Sequence, residues 1–283
     1  MIGIEKIIRG RFGNRILQYN IMYQVSKDLG VPSYCVTWEG HDWFEDLISG
    51  DVHKSQTTLD WSDFMDDSYK DLIHDFDCTI DGTLLHNFFY KLTKINPRKF
   101  LKIKEQFKPN FKKGTINVGV HFRGDDKLKV NNGREIHSIG YYIKGLEEII
   151  NDSNIDVIHV CTDDITFGPY NQFIEHLKTK NVEVKLGPAT NSGPHILDFA
   201  VLSECDYILS NSSTYPICAG FIGKENKKIV HSLEWINKNL PETYVKWGTY
   251  NDKYPKEYWN GFDNFWIQVY KGGNEFYKPW KII

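Results

Sequence analysis

From residue 115 to residue 231 the chain alternates short apolar runs with helix-length stretches, and this alternation restricts its fold more than any other feature. Apolar runs at 116–122, 155–161, 182–186, 206–210 and 227–231 read as strands, and the stretches near 139–151, 168–179, 194–204 and 213–222 read as helices. Strands joined by helix-length crossovers pair in parallel, and a parallel sheet needs helices over both faces. The chain is therefore expected to be α/β. In open sheets of this kind ligands bind outside the carboxyl ends of the strands, so the residues that follow each strand are the first candidates for chemistry.

Ahead of this region the chain opens with a strand expected over 4–8, the turn Arg9-Gly10-Arg11-Phe12-Gly13-Asn14, and a helix over about 15–29. Ile16, Tyr19, Tyr23 and Ser26 mark one helical stripe, and Gly30-Val31-Pro32 stops it. Residues 33–112 read as mixed α/β, with helical turns near 62–73 and 82–92. There is no internal repeat and no low-complexity linker. The expected division is an N-terminal α/β domain over 1–112, carrying the Gly-rich turn, and a C-terminal α/β domain over 113–283. The Trp- and Tyr-rich tail, 244–283, has weak periodicity and is expected either to pack back on the first domain or to form part of a binding wall.

A chain of 283 residues has room for two such domains, and 41% hydrophobic with 25% charged residues is ordinary for a soluble globular protein. A net charge of -3 argues against a general binder of nucleic acid or membrane surfaces, which usually carries a basic excess. Eight Trp offer faces suited to sugar rings, although core packing accounts for most aromatics. The five cysteines, Cys35, Cys78, Cys161, Cys205 and Cys218, are scattered without CxxC spacing, which fits a reducing compartment and argues against a disulfide framework or a zinc site. No stretch approaches the roughly 20 apolar residues of a membrane span, and the N-terminus lacks a signal-peptide layout. The expectation is a cytoplasmic protein. Nothing in the sequence points to a particular oligomeric state.

Four segments carry chemistry. The turn ending in Gly13-Asn14 precedes a helix, where glycine lets backbone approach a ligand and the helix start offers N–H groups to an anion; a plain tight turn is the alternative. The strand at 116–122 delivers His121 and Arg123 to one face of its carboxyl end. An arginine there is suited to gripping phosphate with a planar, permanently charged fork. Cys161-Thr162-Asp163-Asp164 ends the next strand. Paired acids invite a metal-binding reading, but adjacent side chains diverge in extended backbone, so helix N-capping and a ligand hydrogen bond stand beside it. Ser210, Asn211, Ser212, Ser213 and Thr214 then gather hydroxyls, an amide and backbone N–H groups at a helix start, which suits a phosphate held without a metal.

Taken in order, these segments resemble the nucleotide-sugar fucosyltransferases, the clan of α1,2-, α1,6- and protein O-fucosyltransferases. Arg-Phe-Gly-Asn14 followed by Gln18-Tyr19 resembles the opening motif of the α1,2 family, and His121-x-Arg123-x-x-Asp126 the clan's His-x-Arg-Arg-x-Asp signature. Thr162-Asp163-Asp164 and the stretch from Asp198 to Ser213 resemble its later motifs, and Tyr141-Tyr142, opening the helix after the signature, is similar to the α1,2 branch. The motifs span residues 9–220.

The resemblance implies a GT-B-like fold, two Rossmann-like domains with parallel sheets facing across a cleft, the first on the acceptor side and the second binding GDP-fucose. It implies inverting, metal-independent transfer of L-fucose to a glycan hydroxyl, α1,2 in type, with no cofactor. Arg123 matches the arginine that holds the β-phosphate, Asp198 an acid on the guanine, and Ser212 or Ser213 a hydroxyl on the phosphates. Gly13 and Asn14 would approach the phosphates or sugar from the first domain. Lys127 is placed to pair with the diphosphate or Asp126, and His121 to orient Arg123. For the general base Glu135 is preferred, with Asp126 and His41-Asp42 as alternatives. Two departures stand out: Gly124 replaces the second arginine of the signature, as in the protein O-fucosyltransferase branch, and Thr214-Tyr215-Pro216 replaces the aromatics of the α1,2 family. They keep open another GDP-sugar as donor, or an inactive relative that binds a glycan or nucleotide. A small chain of this kind suits bacterial or viral glycan assembly. A nicotinamide oxidoreductase is disfavoured, since no GxGxxG follows a strand with an acid about 20 residues on.

Overall fold

A computed structural model of the chain describes residues 1–6, 11–50, 55–59, 63, 68–80, 95, 97–123, 139–190, 193–210, 213–224, 227–232, 266–271 and 275–276. It separates into two compact units, one built on Met1–Lys104 and one built on Glu105–Lys253 and Asp263–Ile283.

The first unit holds four short parallel strands in the order β2-β1-β4-β3, with β1 Ile2–Ile4, β2 Ser33–Cys35, β3 Thr57–Leu59 and β4 Cys78–Ile80. The first strand lies earlier than the expected 4–8, because Ile2 and Ile4 are fully buried between two neighbours while Glu5 leaves the ladder, its N–H donating to Thr79 Oγ1 at 3.2 Å. Helix α1, Phe12–Leu29, begins ahead of the expected start. Phe12 is buried there against Trp38, Trp43 and Phe44, which draws the first turn into the core. The helix stops as expected at Gly30, whose φ of 66° is the left-handed cap conformation that glycine adopts without strain. Shorter α-helices follow among the described residues, including α2 Gly40–Trp43 and α3 Tyr69–Asp75. The helical turn expected at 82–92 lies outside the described residues.

The second unit follows its sequence pattern closely. Strands β5 Asn117–Phe122, β6 Val157–Thr162, β7 Glu183–Leu186, β8 Tyr207–Leu209 and β9 Lys228–Ser232 alternate with helices α4 Ile139–Asp152, α5 Gly168–Leu177, α6 Ile196–Glu204 and α7 Thr214–Ile222. Two strands from the tail, β10 Trp266–Lys271 and β11 Glu275–Phe276, complete a sheet in the order β11-β10-β9-β8-β5-β6-β7. All neighbours are parallel except β11 on β10. The chain runs outward from β5 through β6 to β7, returns to the other side of β5, and runs outward again through β8, β9 and β10. This is the doubly wound order in which two halves diverge from a central switch point, here between β5 and β8.

The faces of β5 show why the sequence folds this way. Val118, Val120 and Phe122 point to one side and pack with Tyr142 and Leu146 of α4 and Phe173 and Leu177 of α5. Gly119 points to the other, where a β-carbon would stand 2.7 Å from the Leu202 side chain of α6. Glycine at this position lets α6 lie close against the sheet. The fully buried Lys227 donates to the carbonyls of Ser203 in α6 and Ala219 in α7, in the last turns of both helices, where the macrodipole favours a cation. All five cysteines are buried thiols outside any disulfide. Among the described residues no helix is long and apolar enough to cross a membrane.

Candidate active site

Between β5 and β8 two of the residues predicted from the sequence, Arg123 and Ser213, come together. Arg123 follows β5 directly, and Ser213 is the N-cap of α7 just beyond β8. Arg123 Nη1 donates to Ser213 Oγ at 3.4 Å, joining residues 90 positions apart in the chain. Ser213 is extended, with φ -140°, and its Oγ also accepts the Tyr215 N–H at 3.3 Å, the usual act of a capping serine. Pro216 falls in the first turn of α7, where a missing N–H costs no helical bond. A guanidinium and a helix N-terminus therefore meet at one point, and both favour an anion.

Neighbouring side chains fix this arrangement. The buried His121 ring lies 5.1 Å from the Tyr215 ring, which meets Phe199 of α6 edge-on at 5.2 Å. The Tyr215 hydroxyl donates to the His195 carbonyl at the start of α6, so one residue of α7 ties down the opening turn of its neighbour. From α4, Tyr141 donates to the Ser210 carbonyl at 2.6 Å and anchors the segment that leaves β8. The sequence pattern marked Tyr141 only as part of a pair and Tyr215 only as a departure. Their hydrogen-bond partners are distant in sequence, so no local signal pointed to them.

At the end of β6 the acids part company. Asp164 Oδ1 accepts from the Thr166 N–H at 2.8 Å and its hydroxyl at 2.6 Å, while the Asp164 N–H donates to Thr162 Oγ1 at 3.1 Å. Asp164 thus closes a local turn. The cap of α5 is Phe167, so neither acid caps the helix as the sequence suggested. Asp163 is exposed. Among the described residues no three His, Cys, Asp or Glu side chains converge as a metal-binding group.

Asp198, in the first turn of α6, is only 5% exposed. Its Oδ1 accepts the Ala189 N–H at 2.7 Å and its carboxylate the Cys161 thiol. Burial pushes its pKa up to about 6, against the lowering effect of those two donors. Burial likewise holds the Cys161 thiol and the Tyr215 phenol well above their ordinary ranges, so both stay protonated.

In the first unit, Gly13 and Asn14 occupy the opening turn of α1, where the Asn14 N–H donates to the Arg11 carbonyl at 2.9 Å. The ring nitrogens of His41 contact the Trp38 backbone and, at 3.1 Å, the Ile48 carbonyl. His41 is thereby occupied in holding its loop and is poorly placed to act as a base. Asp126, Lys127, Glu135, Asn211 and Ser212, with Gly124, lie outside the described residues.

No protein-family model and no curated protein matches the sequence. Solved structures do match in fold. POFUT1 in complex with GDP superposes with a TM-score of 0.51 at 10% identity, covering 77% of this chain and 92% of that one. POFUT1 in complex with GDP-fucose gives a TM-score of 0.51 at 12% identity over the same shares. The likeness establishes a GT-B-like α/β fold with parallel sheets in both units.

Proposed function

We propose that this chain is a glycosyltransferase that moves L-fucose from GDP-fucose to a glycan hydroxyl, with inversion and without a metal. The observation that carries the reading is the meeting of Arg123 with the Ser213 cap of α7 at the switch point of the second sheet. It is supported by the fold's likeness to structures of POFUT1 holding GDP and GDP-fucose.

Breaking the bond between the anomeric carbon and the diphosphate leaves negative charge on the β-phosphate and an oxocarbenium-like sugar. In this reading Arg123, the Ser213 hydroxyl and the α7 dipole receive that charge, in place of a divalent cation. Asp198 in its ionised form accepts guanine N–H donors, and Thr162 to Asp164 line the nucleotide from the end of β6. Gly13 and Asn14 approach the phosphates or the sugar. Glu135 or Asp126 takes the acceptor proton, and Lys127 adds charge near the diphosphate. The α1,2 linkage rests on the Arg-Phe-Gly-Asn14, Gln18-Tyr19 and Tyr141-Tyr142 patterns.

Calorimetric titration with GDP, UDP, ADP and CMP, with and without EDTA, tests the donor. Selective GDP binding that survives EDTA is expected; preference for UDP, or loss of binding in EDTA, would overturn it. Linkage analysis of product formed from GDP-fucose then tests the sugar and the α1,2 bond. Arg123→Ala should lower turnover by roughly 10²–10³ with an unchanged urea unfolding curve, and near-normal turnover would refute the assignment.

A further inference from the structure

We infer that the outer edge of β7 is an interface for a second copy of this chain, which pairs with it antiparallel about a two-fold axis at Val184. β7 ends the order of its sheet, and among the described residues it pairs with β6 alone. Its four residues, Glu183–Leu186, are all exposed, although strands of a parallel sheet are ordinarily covered by helices on both faces. Register with β6 sets Val184 beside Ile158 and Leu186 beside Val160, on the face that α4 and α5 cover. Val182 packs on that core, yet Val184 stays 36% exposed and Leu186 47%. Glu183 and Lys185 point to the opposite face. There they form an ion pair at 3.1 Å, with more than half of each side chain exposed.

The backbone restricts how another strand can join. In a parallel ladder, alternate residues of a strand bond to a given neighbour. The Glu183 N–H donates to the Asp156 carbonyl at 3.3 Å and the Gly187 N–H to the Val160 carbonyl at 2.8 Å, so Glu183, Lys185 and Gly187 face β6. The backbone groups of Val182, Val184 and Leu186 therefore point away from the sheet, and an edge of this kind is a template for a further strand. An antiparallel partner exchanges hydrogen bonds only between residues whose backbone groups face each other.

Charge then selects the partner and the register. Two identical strands can overlap along most of β7 with the axis at Glu183, at Val184 or at Lys185. The first sets Glu183 against its own copy and the last sets Lys185 against its own copy, and like charges directly opposite are destabilising. With the axis at Val184, Glu183 of each copy faces Lys185 of the other, and the four charges alternate in sign around the axis. On the other face Val184 meets Val184, and Val182 of each copy meets Leu186 of the other, which covers the exposed apolar side chains. The run Val182-Glu183-Val184-Lys185-Leu186 is thus complementary to itself in reverse. An isologous contact requires this property, and each copy then fills the edge of the other, so assembly at this face stops at two.

The test is sedimentation velocity on the full chain from about 1 to about 500 µM, a range suited to the weak end of specific interfaces. A monomer–dimer equilibrium is expected. Glu183→Lys and Lys185→Glu each set like charges opposite one another, and each should weaken the dimer at least about tenfold. Mixed in equal amounts, the two variants should associate again, since one chain then carries lysine at both positions and the other glutamate. The double variant with both reversals should dimerise by itself. Amide hydrogen exchange on the wild-type chain gives a second readout: the outward Val184 and Leu186 N–H groups should gain protection with concentration, and the inward Glu183 N–H should not. It decides the matter even where a variant fails to fold. A wild-type chain that stays monomeric would overturn the inference. So would a dimer indifferent to both reversals, folded variants that fail to associate when mixed, or Val184 exchange independent of concentration.

Discussion

Replacing Asp198 by Asn should make the ligand-free protein more stable at neutral pH, because the wild-type chain buries an ionised carboxylate there. The pKa of Asp198 rises from 3.8 to about 6 on folding, chiefly through burial. A raised carboxyl pKa means that the native state binds more protons than the unfolded state across this interval. Stability therefore falls as pH climbs from about 4 to about 6 and stays reduced above it. Two pKa units correspond to about 3 kcal/mol at pH 7.5, shrinking to about 1 kcal/mol at pH 4.5. Asn preserves the oxygen that accepts the Ala189 N–H at 2.7 Å and removes the charge, with an amide N–H₂ in place of the second oxygen. Urea unfolding followed by circular dichroism at both pH values measures the difference directly. The expected gain is about 2–3 kcal/mol at pH 7.5, and it should shrink by about 2 kcal/mol at pH 4.5. A variant no more stable than wild type at pH 7.5, or a gain equal at the two pH values, would refute the reasoning. The guanine contact proposed for Asp198 would give this carboxylate a use: on that proposal the same Asp198→Asn variant should bind GDP at least about tenfold more weakly, since hydrogen bonds to a charged group are worth about 1.5–3 kcal/mol.

Other consequences are as direct. GDP affinity should rise as pH increases through about 6, where Asp198 ionises, and calorimetry on Asp198→Asn should remove that component, leaving only the titration of the nucleotide itself. His159, buried with Nε2 2.9 Å from Asn117 Oδ1, has its pKa lowered to about 4, mainly by burial. Its contribution to stability is therefore present above about pH 6.5 and lost as pH falls toward 4, and His159→Phe should flatten that acid slope in urea unfolding while costing about 1–3 kcal/mol at pH 7.5 for the orphaned Asn117. Tyr141→Phe should cost about 1 kcal/mol and weaken GDP binding measured by calorimetry, because it frees the Ser210 carbonyl that anchors the approach to Ser213. Gly223→Ala should be poorly tolerated in expression and thermal melting, since a β-carbon there would stand 1.7 Å from the Ser203 carbonyl oxygen, a backbone atom.

The two units differ in how far their sequences disclose them, and strand length is the cause. β5 and β6 are six residues each and buried throughout, so they print continuous apolar runs bounded by polar turns. The strands of the first unit are three residues each, and Thr57-Thr58-Leu59 or Cys78-Thr79-Ile80 carries too little pattern to separate it from loop. Such short strands persist because β1 and β4 are each paired on both sides. The same division runs through the site. Arg123 and Ser213 were legible because each follows a strand. The partners of Asp198, which are Cys161 and Ala189, and the bond from Tyr141 to Ser210 were not, because they depend on which helix packs against which strand end.

Strand order decides whether the legible residues amount to a site at all. Had the sheet simply grown outward, β8 would follow β7, three strand spacings from β5, and about 14 Å would separate their ends. No arginine side chain spans that distance to a serine hydroxyl. The chain instead returns across β5 after β7, so β8 lies next to β5 with Val118 opposite Tyr207 and Val120 opposite Leu209. That return brings the end of one strand beside the start of α7, and Arg123 reaches Ser213 at 3.4 Å. An outward-grown sheet would have kept every motif of the sequence and lost the anion site. The functional proposal therefore rests on the position of β8, and a structure that placed β8 elsewhere would remove its foundation without altering a single residue.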